Sequence, residues 1–114
     1  MSESEASSIA IRRKELRKTY GALYEKTEAL LYKHDPIGLN FGDNQDEYAP
    51  EVDAILPKLN SCNTPAEVTG VIHKEFVRLF DNQMAGPLEA YTSIGTDLWL
   101  LWQEFKANPS HGNA

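Results

Sequence analysis

Carboxylates are the side chains that this sequence concentrates: six of them occur between residues 35 and 53. An EF-hand calcium loop has a glycine at its sixth position and a glutamate at its twelfth. Counted from Asp43, these positions hold Tyr48 and Ala54, so the calcium pattern fails. No His-x-x-x-His or Glu-x-x-His pair occurs, and Cys62 has no partner at zinc-ligand spacing. We therefore predict no metal, no cofactor and no catalytic residue, and we favour a function other than catalysis.

The acidic stretch has a structural and a functional interpretation. Acidic side chains near the first turn of a helix complement its positive end, by roughly 0.3–1 kcal/mol each. Tyr48 adds an aromatic ring with a hydroxyl group, which is typical of interface anchors. Capping alone and capping combined with binding are both consistent with this pattern. We predict that a basic protein partner binds Asp43, Asp46, Glu47, Tyr48 and Glu51.

A pocket is the alternative interpretation. His34, Asp35 and Gly38 surround a turn that precedes the acidic stretch, and Glu75 lies on the apolar face of a predicted helix. A carboxylate on an apolar face needs a hydrogen-bonding partner. We expect Glu75 to be buried and to accept hydrogen bonds from the loop after the first helix. A pocket between this turn and the third helix would indicate a small ligand-binding domain or an enzyme.

Four helices are predicted to position these residues. The first is indicated by apolar residues seven apart and ends before Pro36, because the residue preceding proline disfavours the α region. A short second helix should bend or end near Pro57, which lacks a backbone N–H. Thr64 to Glu67 form a capping box that predicts the start of the third helix. The predicted ranges are about 8–34, 50–59, 65–81 and 87–107.

No run alternates with the two-residue period of a strand. The sequence therefore predicts an all-α protein: a compact four-helix bundle with a long ordered acidic loop between helix 1 and helix 2. The chain of 114 residues fits a single domain, and we predict an ordered core over about residues 8–107 with frayed ends.

Charge is distributed unevenly within a net charge of −6. Residues 1–33 hold seven basic and five acidic side chains, whereas residues 34–114 hold four and twelve. This acidic main body argues against nucleic acid as a partner. No apolar run approaches a membrane span and no secretory signal is evident, so we predict a cytoplasmic protein with no membrane association. Leu100 falls on the polar side of the last helix, which is consistent with a monomer or with a weak homodimer.

Several short motifs together resemble a group of small bacterial proteins of unassigned function. They are DPIG, DEY, PEVDAILP, IHKEFVRLF and LWLLWQEF, and they extend over about residues 32–105. The resemblance implies a bacterial cytosolic helical domain and implies no activity. Toxin-neutralising immunity proteins have similar size and acidity, and by this analogy we predict an immunity-type or regulatory protein.

Overall fold

The structure is a computed structural model that describes residues 3–38 and 48–108, with side chains from residue 7 onward. These two ranges contain helices and connections and no strand, so the all-α prediction is confirmed. The predicted acidic side chains Asp43, Asp46 and Glu47 lie outside the described residues. The α-helices of the described ranges are α1 (Glu3–Tyr20), α2 (Ala22–His34), α3 (Ala49–Ile55), α4 (Pro65–Phe80), α5 (Asn82–Ala85) and α6 (Thr92–Ala107).

The first predicted helix is divided into α1 and α2 at Gly21. Gly21 has φ 53° and ψ −130°, a region that glycine adopts without the steric penalty of a side chain. Its amide donates to the carbonyl oxygen of Arg17 at 2.8 Å and so closes the last turn of α1. Because of this break and the additional short helix α5, the prediction of four helices is not confirmed. The end of α2 at His34, just before Asp35–Pro36, is as predicted.

Pro57 changes the course of the chain after α3, as the sequence predicts. The α-helix ends at Ile55, and a 3-10 helix continues over Leu56–Ser61. Proline has no N–H to donate to the carbonyl four residues earlier, and its ring crowds that carbonyl. The tighter helix that follows keeps Leu56 and Leu59 in the core.

The start of α4 is fixed by side-chain caps. The hydroxyl oxygen of Thr64 accepts a hydrogen bond from the Glu67 amide at 3.1 Å, which confirms the predicted N-cap. In return, the Glu67 carboxylate accepts from the amide of Asn63 at 2.6 Å, one residue earlier than in a standard capping box. A second 3-10 helix, Leu88–Tyr91, leads into α6, so the last predicted helix has an irregular first turn.

The most extensive packing in the core is between α4 and α6, and it depends on a missing side chain. Gly95 of α6 lies so close to Thr69 of α4 that a Cβ atom there would be 1.8 Å from the Thr69 hydroxyl oxygen. The same atom would be 2.8 Å from the Thr69 Cα, which cannot rotate away. Around this crossing the core contains Tyr24, Leu31, Val52, Ile72, Phe76, Tyr91, Ile94 and Leu98. Within the described ranges, no helix is long and apolar enough to cross a membrane.

This close approach predicts opposite effects for two glycine substitutions. Gly95→Ala should lower the free energy of unfolding by about 1–3 kcal/mol, because α4 and α6 must separate to admit the methyl group. Gly70→Ala, in α4, is the matched control, since a Cβ there meets no atom within 4 Å. Alanine is the better helix former, so Gly70→Ala should raise stability by roughly 0.5–1 kcal/mol. Urea unfolding of both variants measures the difference, and equal effects would contradict a close contact at the crossing.

Candidate functional site

The acidic connection, defined here as residues 35–48, has its two ends joined by a hydrogen bond. The Tyr48 hydroxyl donates to the Asp35 carboxylate at 2.7 Å. The Tyr48 ring is fully buried and packs against Phe76, with ring centroids 6.0 Å apart. Asp35 adopts a left-handed conformation with φ 47°, and its amide caps α2 by donating to the carbonyl oxygen of Leu31. The residues that leave α2 and the residue that begins α3 are therefore held side by side.

The burial of Tyr48 and Glu51 does not fit their predicted role as contacts to a partner. Their exposed fractions are 0% and 1%. The reason is the orientation of α3, which turns Tyr48, Glu51, Val52 and Ile55 towards the core. Tyr48 is thus an anchor, as its aromatic ring suggests, but it anchors the acidic connection to its own protein. The role of Asp43, Asp46 and Glu47 stays a prediction.

Glu51 is an interior carboxyl group with an incomplete set of partners. Its Oε1 atom has no hydrogen-bond partner among the described residues. Burial raises the pKa of Glu51 to about 7, an effect that its own backbone amide and Arg13 oppose and that Asp53 reinforces. Burial therefore favours the protonated form of this interior carboxyl group. This state was not predicted, because an acidic residue in a first helical turn is usually solvated.

Asp53 joins three helices through one carboxylate. Its Oδ2 atom accepts from Arg13 of α1, with Nε at 2.8 Å and Nη2 at 2.7 Å. Its Oδ1 atom accepts from the hydroxyl of Tyr24 of α2 at 2.5 Å. Burial, together with this hydrogen bond, raises the pKa of Tyr24, so the phenol remains a donor. Neither Asp53 nor Arg13 was predicted to have this role, because their types and spacing do not distinguish them from surface charges.

Glu75 is buried, as predicted, but its partners differ from the predicted ones. The residue is 1% exposed. Instead of loop amides, Lys58 donates to its Oε2 atom and the Arg78 Nε atom donates to Oε1 at 2.8 Å. The 3-10 helix after α3 brings Lys58 over α4. Lys58 therefore supplies the hydrogen bond to Glu75 that was expected from the loop after the first predicted helix. Burial raises the pKa of Glu75, but the hydrogen bonds from Lys58 and Arg78 outweigh it, so the pKa is lowered.

The predicted pocket residues are not brought together. The His34 ring pairs with Asp97 of α6 at 3.4 Å, Asp35 binds Tyr48, and Gly38 is exposed with φ 75°. The clefts on the described surface include two between α2 and α6 and one between α1 and α3. None of the three is lined by His34, Asp35, Gly38 or Glu75. Nowhere in residues 3–38 and 48–108 do three His, Cys, Asp or Glu side chains converge as metal ligands.

Comparison with known proteins gives no match. No protein-family model, no curated protein and no solved structure is significantly similar to this chain. The comparisons therefore add no relative to the resemblance carried by the DPIG, DEY and LWLLWQEF motifs. Only the geometry of the chain itself bears on its function.

The raised pKa of Glu51 predicts that the contribution of this residue to stability falls as the pH rises. Between pH 4.5 and about 7 the folded state binds more protons than the unfolded state, so the free energy of unfolding falls with pH. Glu51→Gln mimics the protonated carboxyl group. It should match the wild type at pH 4 and exceed it at pH 8 by on the order of 3 kcal/mol. Thermal unfolding across this range tests it, with Glu89→Gln at an exposed position as control. A stability difference between Glu51→Gln and the wild type that is constant from pH 4 to pH 8 would contradict a raised pKa of Glu51.

Glu75 predicts the opposite dependence on pH. Because its pKa is lowered, the stability that it contributes is present above pH 4.5 and is lost as the pH falls below that value. Glu75→Gln removes the charge that Lys58 and Arg78 bind. The variant should be less stable than the wild type at pH 7 by about 1–3 kcal/mol, and the gap should narrow towards pH 3. If the variant matches the wild type at pH 7, the two ion pairs contribute nothing.

Proposed function

We propose that this chain is a protein-interaction module that binds a basic protein partner through its acidic connection. In this proposal the carboxylates of Asp43, Asp46 and Glu47 contact the partner. The protein acts in the cytoplasm, as an immunity-type or regulatory protein that blocks or modulates the partner by occupying its surface. No catalysis is required for such a role.

The hydrogen bond between Tyr48 and Asp35 is the observation that carries the proposal. It joins residues thirteen positions apart and places the tyrosine ring in the core. A connection of this length whose ends are close together is frequently functional. Connections between packed helices are commonly shorter, about two to eight residues. The anchored ends restrict where Asp43, Asp46 and Glu47 can lie, which reduces the entropy lost when a partner binds.

The negative charge of the acidic connection and of the whole chain favours a basic partner. Three carboxylates occur within the five residues 43–47, and the chain as a whole carries a net charge of −6. Like-charge repulsion would therefore exclude acidic partners, whereas a basic surface would be attracted and oriented before contact. Because Tyr48 and Glu51 are buried, the proposed contacts to the partner are the carboxylates of Asp43, Asp46 and Glu47.

Neutral amides at the three positions test the proposal. The full chain carrying Asp43→Asn, Asp46→Asn and Glu47→Gln should no longer capture a basic protein that the wild type captures from its native extract. With the purified partner, the association rate should fall, and the loss should shrink as salt rises, because added ions screen the attraction. Stopped-flow kinetics at several salt concentrations measure both effects.

A matched control separates local charge from total charge. Glu15→Gln, Glu25→Gln and Glu104→Gln together change the net charge by the same amount at exposed positions elsewhere. This control should bind as the wild type does. Tyr48→Phe keeps the buried ring but removes its hydrogen bond to Asp35, so it should weaken binding more than it changes stability. Equal association rates for the wild type and the acidic-connection variant at low salt would overturn the proposal.

A further inference from the structure

The cleft between α1 and α3 is lined by none of the described residues of the acidic connection, and its lining is basic and aliphatic. Its volume is about 510 Å³, within the range of pockets that hold small organic molecules. Ile9 and Ala10 of α1 form one apolar wall, and Pro50 and Ala54 of α3 form the other. Ile9 remains 40% exposed, so the cleft offers aliphatic surface that the fold itself does not cover.

Three arginines line the same cleft, and one of them has no anionic partner among the described residues. Arg13 is neutralised by Asp53 at 2.7 Å. Arg78 shares the single carboxylate of Glu75 with Lys58. Arg12 donates only to the backbone carbonyl oxygen of Asp53, at 3.4 Å, and contacts no carboxylate in the part of the chain that the structure describes. The guanidinium of Arg12 therefore stands at the cleft with an uncompensated charge.

The local balance of charge is positive in a protein that is acidic overall. Among the described side chains, Lys58 and the three arginines face two carboxylates, Asp53 and Glu75, which leaves two positive charges in excess. Among the described side chains, the other nearby carboxyl groups do not line the cleft: Glu51 is buried within the core, and Glu28 pairs with Arg17 at 3.6 Å. An anion that enters the cleft gains an attraction that a surface of net negative charge does not offer.

We infer that this cleft binds a small amphipathic anion, which has an apolar body and one carboxylate, phosphate or sulfonate head group. The head pairs with Arg12, whose planar fork matches two oxygens of such a group, and Arg78 supplies a second cation. The body covers Ile9, Ala10, Pro50 and Ala54. Asp53 already pairs with Arg13, so this arginine is not available to a second anionic group of the ligand. A dianion with charges at both ends therefore fits less well than a molecule with one charged end.

Fluorescence titration with anilinonaphthalene sulfonate, an apolar anion, tests the inference on the full chain. The wild type should bind one equivalent saturably. Arg12→Ala should weaken binding about tenfold, the effect of losing one charged hydrogen bond. Ala10→Phe, at an exposed position of the apolar wall, should abolish binding by filling the cleft. Decanoate and decyl phosphate should displace the probe at concentrations about tenfold below that of uncharged decanol. Whichever of the two anions displaces the probe at the lower concentration has the preferred head group.

Two control variants show whether the probe binds in this cleft or elsewhere on the surface. Lys14→Ala removes a cation from the same helix outside the cleft, and Leu100→Glu alters the apolar groove between α2 and α6. Both variants should bind the probe as the wild type does. Far-ultraviolet circular dichroism tests whether each variant is folded. If Arg12→Ala is unfolded, the loss of probe binding in Ala10→Phe decides whether the probe occupies the cleft. Wild-type affinity in Ala10→Phe, equal displacement by decanol, or loss of binding in Leu100→Glu would overturn the inference.

Discussion

The attachment of α1 depends on the carboxylate of Asp53. Of the side chains described for α1, only Tyr20 is buried, and Arg13 and Leu16 are partly buried. Hydrophobic burial alone therefore holds this helix weakly. Asp53 lies on α3 and accepts hydrogen bonds from Arg13 of α1 and Tyr24 of α2. Leaving such a charge without its partner typically costs about 3–5 kcal/mol, so this interaction is a main determinant of the position of α1 and of the cleft that α1 forms with α3. Arg17 adds contacts to α2, because it pairs with Glu28 and lies over the Tyr24 ring.

Three interior carboxyl groups show how position decides the behaviour of one chemical group. Asp53 and Glu75 are each bound by cationic side chains and connect helices. Glu51, two residues from Asp53 on the same short helix, has an oxygen without a partner among the described residues and a raised pKa. The first two stabilise the fold at neutral pH, while the third opposes it. A chain with this many acidic residues thus uses some of them inside and leaves the others for its surface.

Local signals were sufficient to predict much of the fold. Proline chemistry predicted the end of α3 near Pro57, and the Thr64 cap predicted the start of α4, because both act within one helical turn. The break at Gly21 was missed because the apolar repeat from Ile9 to Leu30 continues through it, and tertiary packing decides whether a glycine leaves the helix. Burial of Glu75 was predictable from its helical face. Its partners were not, because Lys58 reaches it only through the 3-10 helix.

Helix α3 connects the two proposed sites. It has seven residues, and Tyr48, at its N-terminus, fixes one end of the acidic connection. Its outer face contributes Pro50 and Ala54 to the cleft, and its Asp53 holds α1. Among the described residues, α3 is the element that both sites share, so a shift of α3 on binding at one site would be felt at the other. If α3 stays fixed, the two binding free energies add; if it moves, the two sites are coupled, and linkage requires each ligand to change the other's affinity by the same factor.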